Sequence, residues 1–169
     1  MVLLCACHES DNEQILDQLD QVIESKGLYA VRFERRVDSL RRELCTASDD
    51  TMRWRTANRL FDSYITYNID TAARYVALMY DLAEHTGRRD MKFLSTTCDI
   101  SVLIGRNNIE DAYDRIRSLD TAGITKRMRA NYYTQQMVVY GRLASQNTSE
   151  SRSRAYACLL YTSPSPRDA

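Results

Sequence analysis

Displaced against itself by 40 positions, the middle of this chain repeats. Trp54 falls on Leu94, Leu60 on Ile100, Tyr64 on Ile104, Asn68 on Asn108, Ile69 on Ile109, Ala72 on Ala112, Val76 on Ile116 and Met79 on Leu119. The apolar positions and the polar break between them coincide together. A second displacement sets Met137 under Thr97, Tyr140 under Ile100 and Ala144 under Ile104, so a third copy opens further along. Periods of about 20–50 residues mark arrays of one small structural unit. Here each copy reads as a helix, a tight polar turn and a second helix. The apolar face of such a hairpin is too wide to be buried alone, so neighbouring copies must stack on one another.

Composition agrees with this expectation. Only 5 Gly and 2 Pro occur in 169 residues, and because these residues punctuate sheets and turns, their scarcity favours helices joined by short polar links. With 44% hydrophobic residues the chain can bury a core. The fold class that follows is all-α, an α-solenoid of helical hairpins preceded by one kinked or two N-terminal helices. Basic and acidic residues balance at 23 each, which leaves no long-range field to draw nucleic acid, so no nucleic-acid partner is expected for this segment. Cys5, Cys7, Cys45, Cys98 and Cys158 are scattered apart from the first two, and His8 and His85 are the only histidines. Neither a disulfide framework nor a metal site can be written from them, and no cofactor is implied. A nucleophile elbow, a phosphate-cradling glycine loop and a zinc-binding His pair are all missing, so a non-catalytic role is expected.

Residues 8–46 form the first region. Ile15, Leu19, Val22, Tyr29, Phe33, Val37, Leu40 and Leu44 recur three or four apart and share one helical face, with charge opposite. Lys26-Gly27 interrupts it. A glycine costs about 1 kcal/mol inside a helix, so a bend or a break is expected there. The spacing also suits a coiled coil, but the glycine interrupts the heptads, and packing on the following helices is the favoured expectation. Cys45 to Asp50 supply a link and caps, a helix begins near Thr51, and Trp54, Ala57, Leu60, Phe61 and Tyr64 share its face. Tyr67-Asn68-Ile69-Asp70 gives a turn with Asp70 as the next cap, a second helix covers Thr71 to His85, and Gly87 ends it as a left-handed cap. The repeats are assigned to residues 50–157, the third incomplete.

Ile69-Asp70-Thr71-Ala72 and Ile109-Glu110-Asp111-Ala112 resemble the turn of tetratricopeptide repeats and the small alanine that follows it. Units of that family usually have about 34 residues, shorter than the period here. The glycine usual in the turn is replaced by Tyr67 in one copy and Asn107 in the other. Asn tolerates a left-handed backbone and Tyr does so poorly, so the two turns are expected to differ. The stretches LDQLDQVIESKGLYAVRFERRVDSLRREL and RLFDSYITYNIDTAARYVALMYDLAEHTG together resemble the start of a Bacteroidota family of tetratricopeptide regulators, with coverage from Leu16 to Ala157. That resemblance implies an exported repeat sensor, periplasmic or otherwise associated with the cell envelope, followed by a membrane span and a cytoplasmic regulatory domain of unknown function. It implies a binding segment for a protein or peptide partner. The candidate contacts are polar residues on the first helix of each unit: Arg55, Asn58, Asp62 and Asp99. The alternative is a structural lipoprotein scaffold or spacer.

Other features have simpler readings. Asp49-Asp50 and Arg88-Arg89-Asp90 lie near helix ends, where capping accounts for them. Arg35-Arg36 and Arg41-Arg42 are interleaved with acids and read as a solvated face, Lys126-Arg127-Arg129 raises the question of phosphate contacts, and Tyr132, Tyr133 and Tyr140 read as core before groove. Asn147-Thr148-Ser149 matches a glycosylation acceptor, which the bacterial resemblance weakens. At the front, Leu4-Cys5-Ala6-Cys7 resembles a bacterial lipobox, with Cys7 as the lipidated residue and residues 1–7 as the remnant of a signal. The apolar run is shorter than a complete signal peptide, and the competing reading is an incidental apolar terminus. Membrane attachment would come through that lipid or through a downstream span. Residues 158–169 carry both prolines, and Cys158 to Asp168 resemble the conceptual translation of a transposon-derived sequencing adapter. The competing reading is a native Pro-rich tail, and under either one no function is assigned there.

Overall fold

The structure, a computed structural model, describes residues 9–146, 149–162 and 164. Among the described residues there are seven helices and no strand: α1 (Glu9–Thr46), α2 (Asp50–Tyr64), α3 (Ile69–Thr86), α4 (Arg89–Gly105), α5 (Ile109–Arg117), α6 (Lys126–Gln146) and α7 (Glu150–Thr162). Cys7, residues 1–7 as a signal remnant, most of the Asn147-Thr148-Ser149 motif and half of the closing tail lie outside the described residues. The chain divides into two compact units, Met1–Ser39 and Leu40–Ala169.

In the first unit, α1 runs without a break through Lys26-Gly27. Of the two alternatives, one helix or two, the chain forms one. One glycine lowers helix stability by about 1 kcal/mol, and with helix-forming residues on both sides the hydrogen-bonded ladder carries across it. Burial along the assigned face is divided, with Val37 and Leu40 enclosed and the residues up to Tyr29 exposed. Ile15, Leu16, Leu19, Val22, Ile23 and Tyr29 are 52–62% exposed, so this stretch presents its apolar face to solvent.

The second unit is a series of hairpins. Successive helices from α2 onward pack on one another, α2 with α3, α3 with α4, α4 with α5, α5 with α6 and α6 with α7, and α4 also touches α6. Trp54, Ala57, Leu60, Phe61 and Tyr64, the face assigned to α2, are all buried. So are Ala72, Val76 and Met79 of α3, Ala112 and Ile116 at the positions of α5 that match the first two, and Ile109 at its start. Leu60 and Met79 are fully enclosed, each contributing about 1.5–3 kcal/mol through lost contact with water. Ala72 and Ala112 are both fully buried, which fits the small residue expected where paired helices approach.

The caps follow local chemistry. Asp49 accepts from the Met52 N–H at 2.9 Å and opens α2. Asn68, two positions earlier than the expected Asp70, accepts from the Thr71 N–H at 2.9 Å and opens α3, leaving Asp70 in the first turn, where its charge faces the positive helix end. Gly87, at φ 64°, ends α3 in the left-handed conformation.

The two hairpin turns differ as their sequences require. Asn107 has φ 58°, its N–H donates to the Ile104 carbonyl at 3.0 Å, and the Asn108 N–H reaches back to the Leu103 carbonyl at 2.9 Å. This is a Schellman closure with Asn in the place usually held by glycine. At Tyr67, which does not adopt positive φ, the Tyr67 and Asn68 N–H groups both donate to the Tyr64 carbonyl. Gln146 then donates to the Asn107 side-chain oxygen at 2.9 Å, tying the end of α6 to the turn between α4 and α5.

The second helices are unequal. α3 has 18 residues and α5 only 9, and the remainder of the period is taken up by a loop before α6 begins at Lys126. Asp120 shapes that loop by accepting from the Ala122 N–H at 2.9 Å, and Gly123 turns it at φ 70°. In the third hairpin α7 crosses the boundary expected after Ala157 and continues to Thr162, with Tyr156 and Leu160 packed against the core formed by Ile100, Ile116, Val139, Tyr140 and Leu143.

Candidate functional site

The first helices of the three hairpins line a groove of about 690 Å³. Trp54 and Phe61 of α2, Leu94, Thr97 and Cys98 of α4 and Met128 of α6 give it apolar surface, while Arg55, Asn58, Asp62, Arg127, Asn131 and Gln135 bring polar groups into it. Its volume falls in the range of ligand clefts, about 300–1,000 Å³. On α2 the polar residues Arg55, Asn58 and Asp62 recur at three and four positions, and on α6 Arg127, Asn131 and Gln135 recur at four, so each set forms a stripe along one helical face.

Hydrogen bonds hold this wall in place. The Trp54 indole N–H donates to the buried Ser95 hydroxyl at 3.0 Å, which donates to the Met91 carbonyl at 2.9 Å. Asn58 donates to Asp62 at 3.4 Å and accepts from the Cys98 thiol at 3.5 Å, and Gln135 donates to the Ser101 hydroxyl at 2.8 Å. Arg59, which also lines the groove, makes a two-pronged contact with Glu43, both at 2.8 Å, and Glu43 also accepts from Thr56.

Electrostatics distinguish the groove from the rest of the surface. The groove wall desolvates one side of the Asp62 carboxyl and raises its pKa above the usual carboxylate value, opposed by the Arg127 charge; its other side stays open to solvent. Burial, and after it the charges of Asp62 and Asp99, push the Cys98 thiol up to about 12, so it is a protonated, unreactive group at neutral pH. Arg55 and Arg127 have no carboxylate within ion-pair distance among the described residues. A second cleft of about 670 Å³ lies between α3, α4, α5 and the loop before α6. There the charged groups are already matched: Arg88 with Asp90 at 2.6 Å, Arg89 with Asp120 at 2.6 Å, Lys92 with Glu84 at 2.6 Å and Arg115 with Asp99 at 3.3 Å. A cleft whose charges are held in direct ion pairs offers a charged ligand less than a groove whose Arg55 and Arg127 make none.

Three of the four candidate contacts, Arg55, Asn58 and Asp62, line the groove. Asp99 does not. It sits one residue beyond Cys98, about 100° further round α4, and pairs with Arg115 of α5 instead. Arg127, Asn131 and Gln135 were not singled out as a groove set by sequence, although their four-residue spacing is visible in it. Of the tyrosines, Tyr140 is buried and Tyr132 packs against the same core, and neither lines the groove.

Helix-turn-helix hairpins stacked in series, with a groove along their first helices, define a helical-repeat binding protein of the tetratricopeptide type. Over residues 23–162 the chain matches the family described as the SusR N-terminal TPR domain, and it belongs to that family. No curated protein and no solved structure matches it. Repeats of this type generally mediate protein–protein contact and are typically non-catalytic. No helix among the described residues is long and apolar enough to cross a membrane.

Proposed function

We propose that this chain is the binding segment of a bacterial envelope regulatory protein, exported and held at the membrane through a lipid on Cys7 or a span further along the protein. Its occupant is an extended stretch of polypeptide carrying an acidic side chain, seated in the groove along α2, α4 and α6. The observation that carries this reading is two guanidiniums, Arg55 and Arg127, that make no direct ion pair among the described residues, in a groove that also holds the Asp62 carboxyl and amide groups from Asn58, Asn131 and Gln135. Side-chain amides can donate to and accept from an extended backbone, and an arginine fork suits a carboxylate. Apolar surface from Trp54, Phe61 and Met128 supplies the nonpolar share of binding.

The test uses a displayed library of random ten-residue peptides selected on the immobilised chain, followed by calorimetric titration of the enriched peptides against Arg55→Glu and Arg127→Glu. Enrichment of acidic peptides, with binding weakened at least tenfold by either reversal, supports the assignment. Peptides that bind both variants as tightly as the wild type remove it. Lipidation is tested separately, by the mass of the N-terminal peptide recovered from a bacterial envelope fraction.

A further inference from the structure

The stretch of α1 within the first unit carries apolar residues in three columns of period seven: Leu16, Ile23 and Ala30; Leu19, with Lys26 as its polar member; and Ile15, Val22 and Tyr29 on the flank. A seven-residue repeat keeps one seam facing a partner helix along its whole length. The six large residues of this seam are 52–62% exposed. At about 100 Å² of side-chain surface each, two copies laid together would bury about 1,200 Å², the lower edge of what stable protein interfaces bury.

Charge along the helix selects the arrangement. Glu13, Asp17, Asp20 and Glu24 stand before Ser25 with no basic residue among them, whereas Lys26, Arg32, Arg35 and Arg36 follow it with Glu34 as the one acid of that stretch. A parallel pair would set the acidic half beside the acidic half and the basic half beside the basic. An antiparallel pair sets each acidic half along a basic one, with the axis between Glu24 and Lys26, where the ammonium of one copy meets the carboxylate of the other. Opposed like charges are destabilising and matched opposite charges set helix orientation. We propose that the first unit of this protein is a self-association element, in which α1 pairs antiparallel with α1 of a second copy through the Leu16–Tyr29 seam.

The test is light scattering on the full chain across a concentration series, with a chain mass of 19.6 kDa as the monomer reference. The wild type is expected to show twice that mass, and Leu19→Lys is expected to halve it while the thermal unfolding of the repeats stays unchanged, since Leu19 is 52% exposed. Orientation is read by mixing Gln18→Cys with Val31→Cys and adding a short thiol cross-linker. The antiparallel pair cross-links position 18 to position 31 between variants. A wild-type chain that stays monomeric, even with its α1 seam bound to some other protein, overturns the proposal, as does a Leu19→Lys variant of undiminished mass. Cross-linking of Gln18→Cys only to itself overturns the antiparallel arrangement.

Discussion

The hydrogen bond from Trp54 to Ser95 couples the first helices of two successive hairpins, and its removal from either end should have unequal consequences. Ser95 is fully enclosed and Trp54 is 6% exposed, so neither group has ready access to water. Ser95→Ala leaves the indole N–H without an acceptor, and a buried donor without a partner costs about 1–3 kcal/mol. Loss of the hydroxyl's own bond to the Met91 carbonyl adds little, because that carbonyl lies inside α4 and keeps its backbone partner. Trp54→Phe removes the N–H altogether and also shrinks the side chain, and on the scale of large-to-small core changes this costs about 1–3 kcal/mol. With the donor gone, Ser95→Ala in the Trp54→Phe background should cost less than about 1 kcal/mol, since no orphan is created. The four proteins of the cycle would be unfolded in urea and followed by far-ultraviolet circular dichroism, which does not depend on the tryptophan. A coupling of about 1–2 kcal/mol is expected from the difference between the two Ser95→Ala costs. If the two costs agree within about 0.5 kcal/mol, the residues are independent and the inter-hairpin role assigned to this bond is refuted.

Three further outcomes follow from single sites. Asn107→Ala must hold a left-handed backbone at φ 58° and also loses the bond from Gln146, so urea unfolding should show a loss of about 2 kcal/mol, whereas Asn107→Gly should stay within about 1 kcal/mol of wild type because glycine accepts that backbone freely. Asp62, with its pKa raised by desolvation against the Arg127 charge, binds its proton more tightly when folded. Its contribution to stability is therefore present at pH below the ordinary carboxylate value of 3.8 and is lost as pH rises through the raised folded value, so Asp62→Asn should raise the melting temperature at neutral pH and lose that advantage on acidification. Cys98, pushed up to about 12, should be alkylated by iodoacetamide at neutral pH far more slowly than the exposed Cys45 and Cys158, as judged by peptide mass mapping, and the difference should vanish in denaturant.

The repeat was legible because burial imposes it residue by residue. Leu60 and Ile100, Ala72 and Ala112, Val76 and Ile116 occupy matching enclosed places, and a charge at any of them would leave an unpaired group in the core. The displacement misled at one point, where Leu119 fell under Met79 as though α5 continued; Met79 is fully buried in α3, but Leu119 lies past the end of α5. The information that ends α5 was present in Asp120 and Gly123, whose turn chemistry outweighs one apolar match. The groove was less legible for a different reason. A polar stripe at helical spacing reads the same whether water or a neighbouring helix lies beside it, so Arg55, Asn58 and Asp62 could be picked out by position, while Arg127, Asn131 and Gln135 gained meaning only when α6 was stacked beside α4. Asp99 shows how fine that dependence is, since one step along α4 separates Cys98 in the groove from a carboxylate held by Arg115. The same asymmetry governs α1. Its periodic apolar face states that something must cover it, the pattern alone favoured the helices that follow, and Leu16, Leu19 and Ile23 lie exposed along α1. Hydrophobic spacing specifies that a face is to be buried, and the charges beside it, acidic up to Glu24 and basic from Lys26, carry the information about what can lie there.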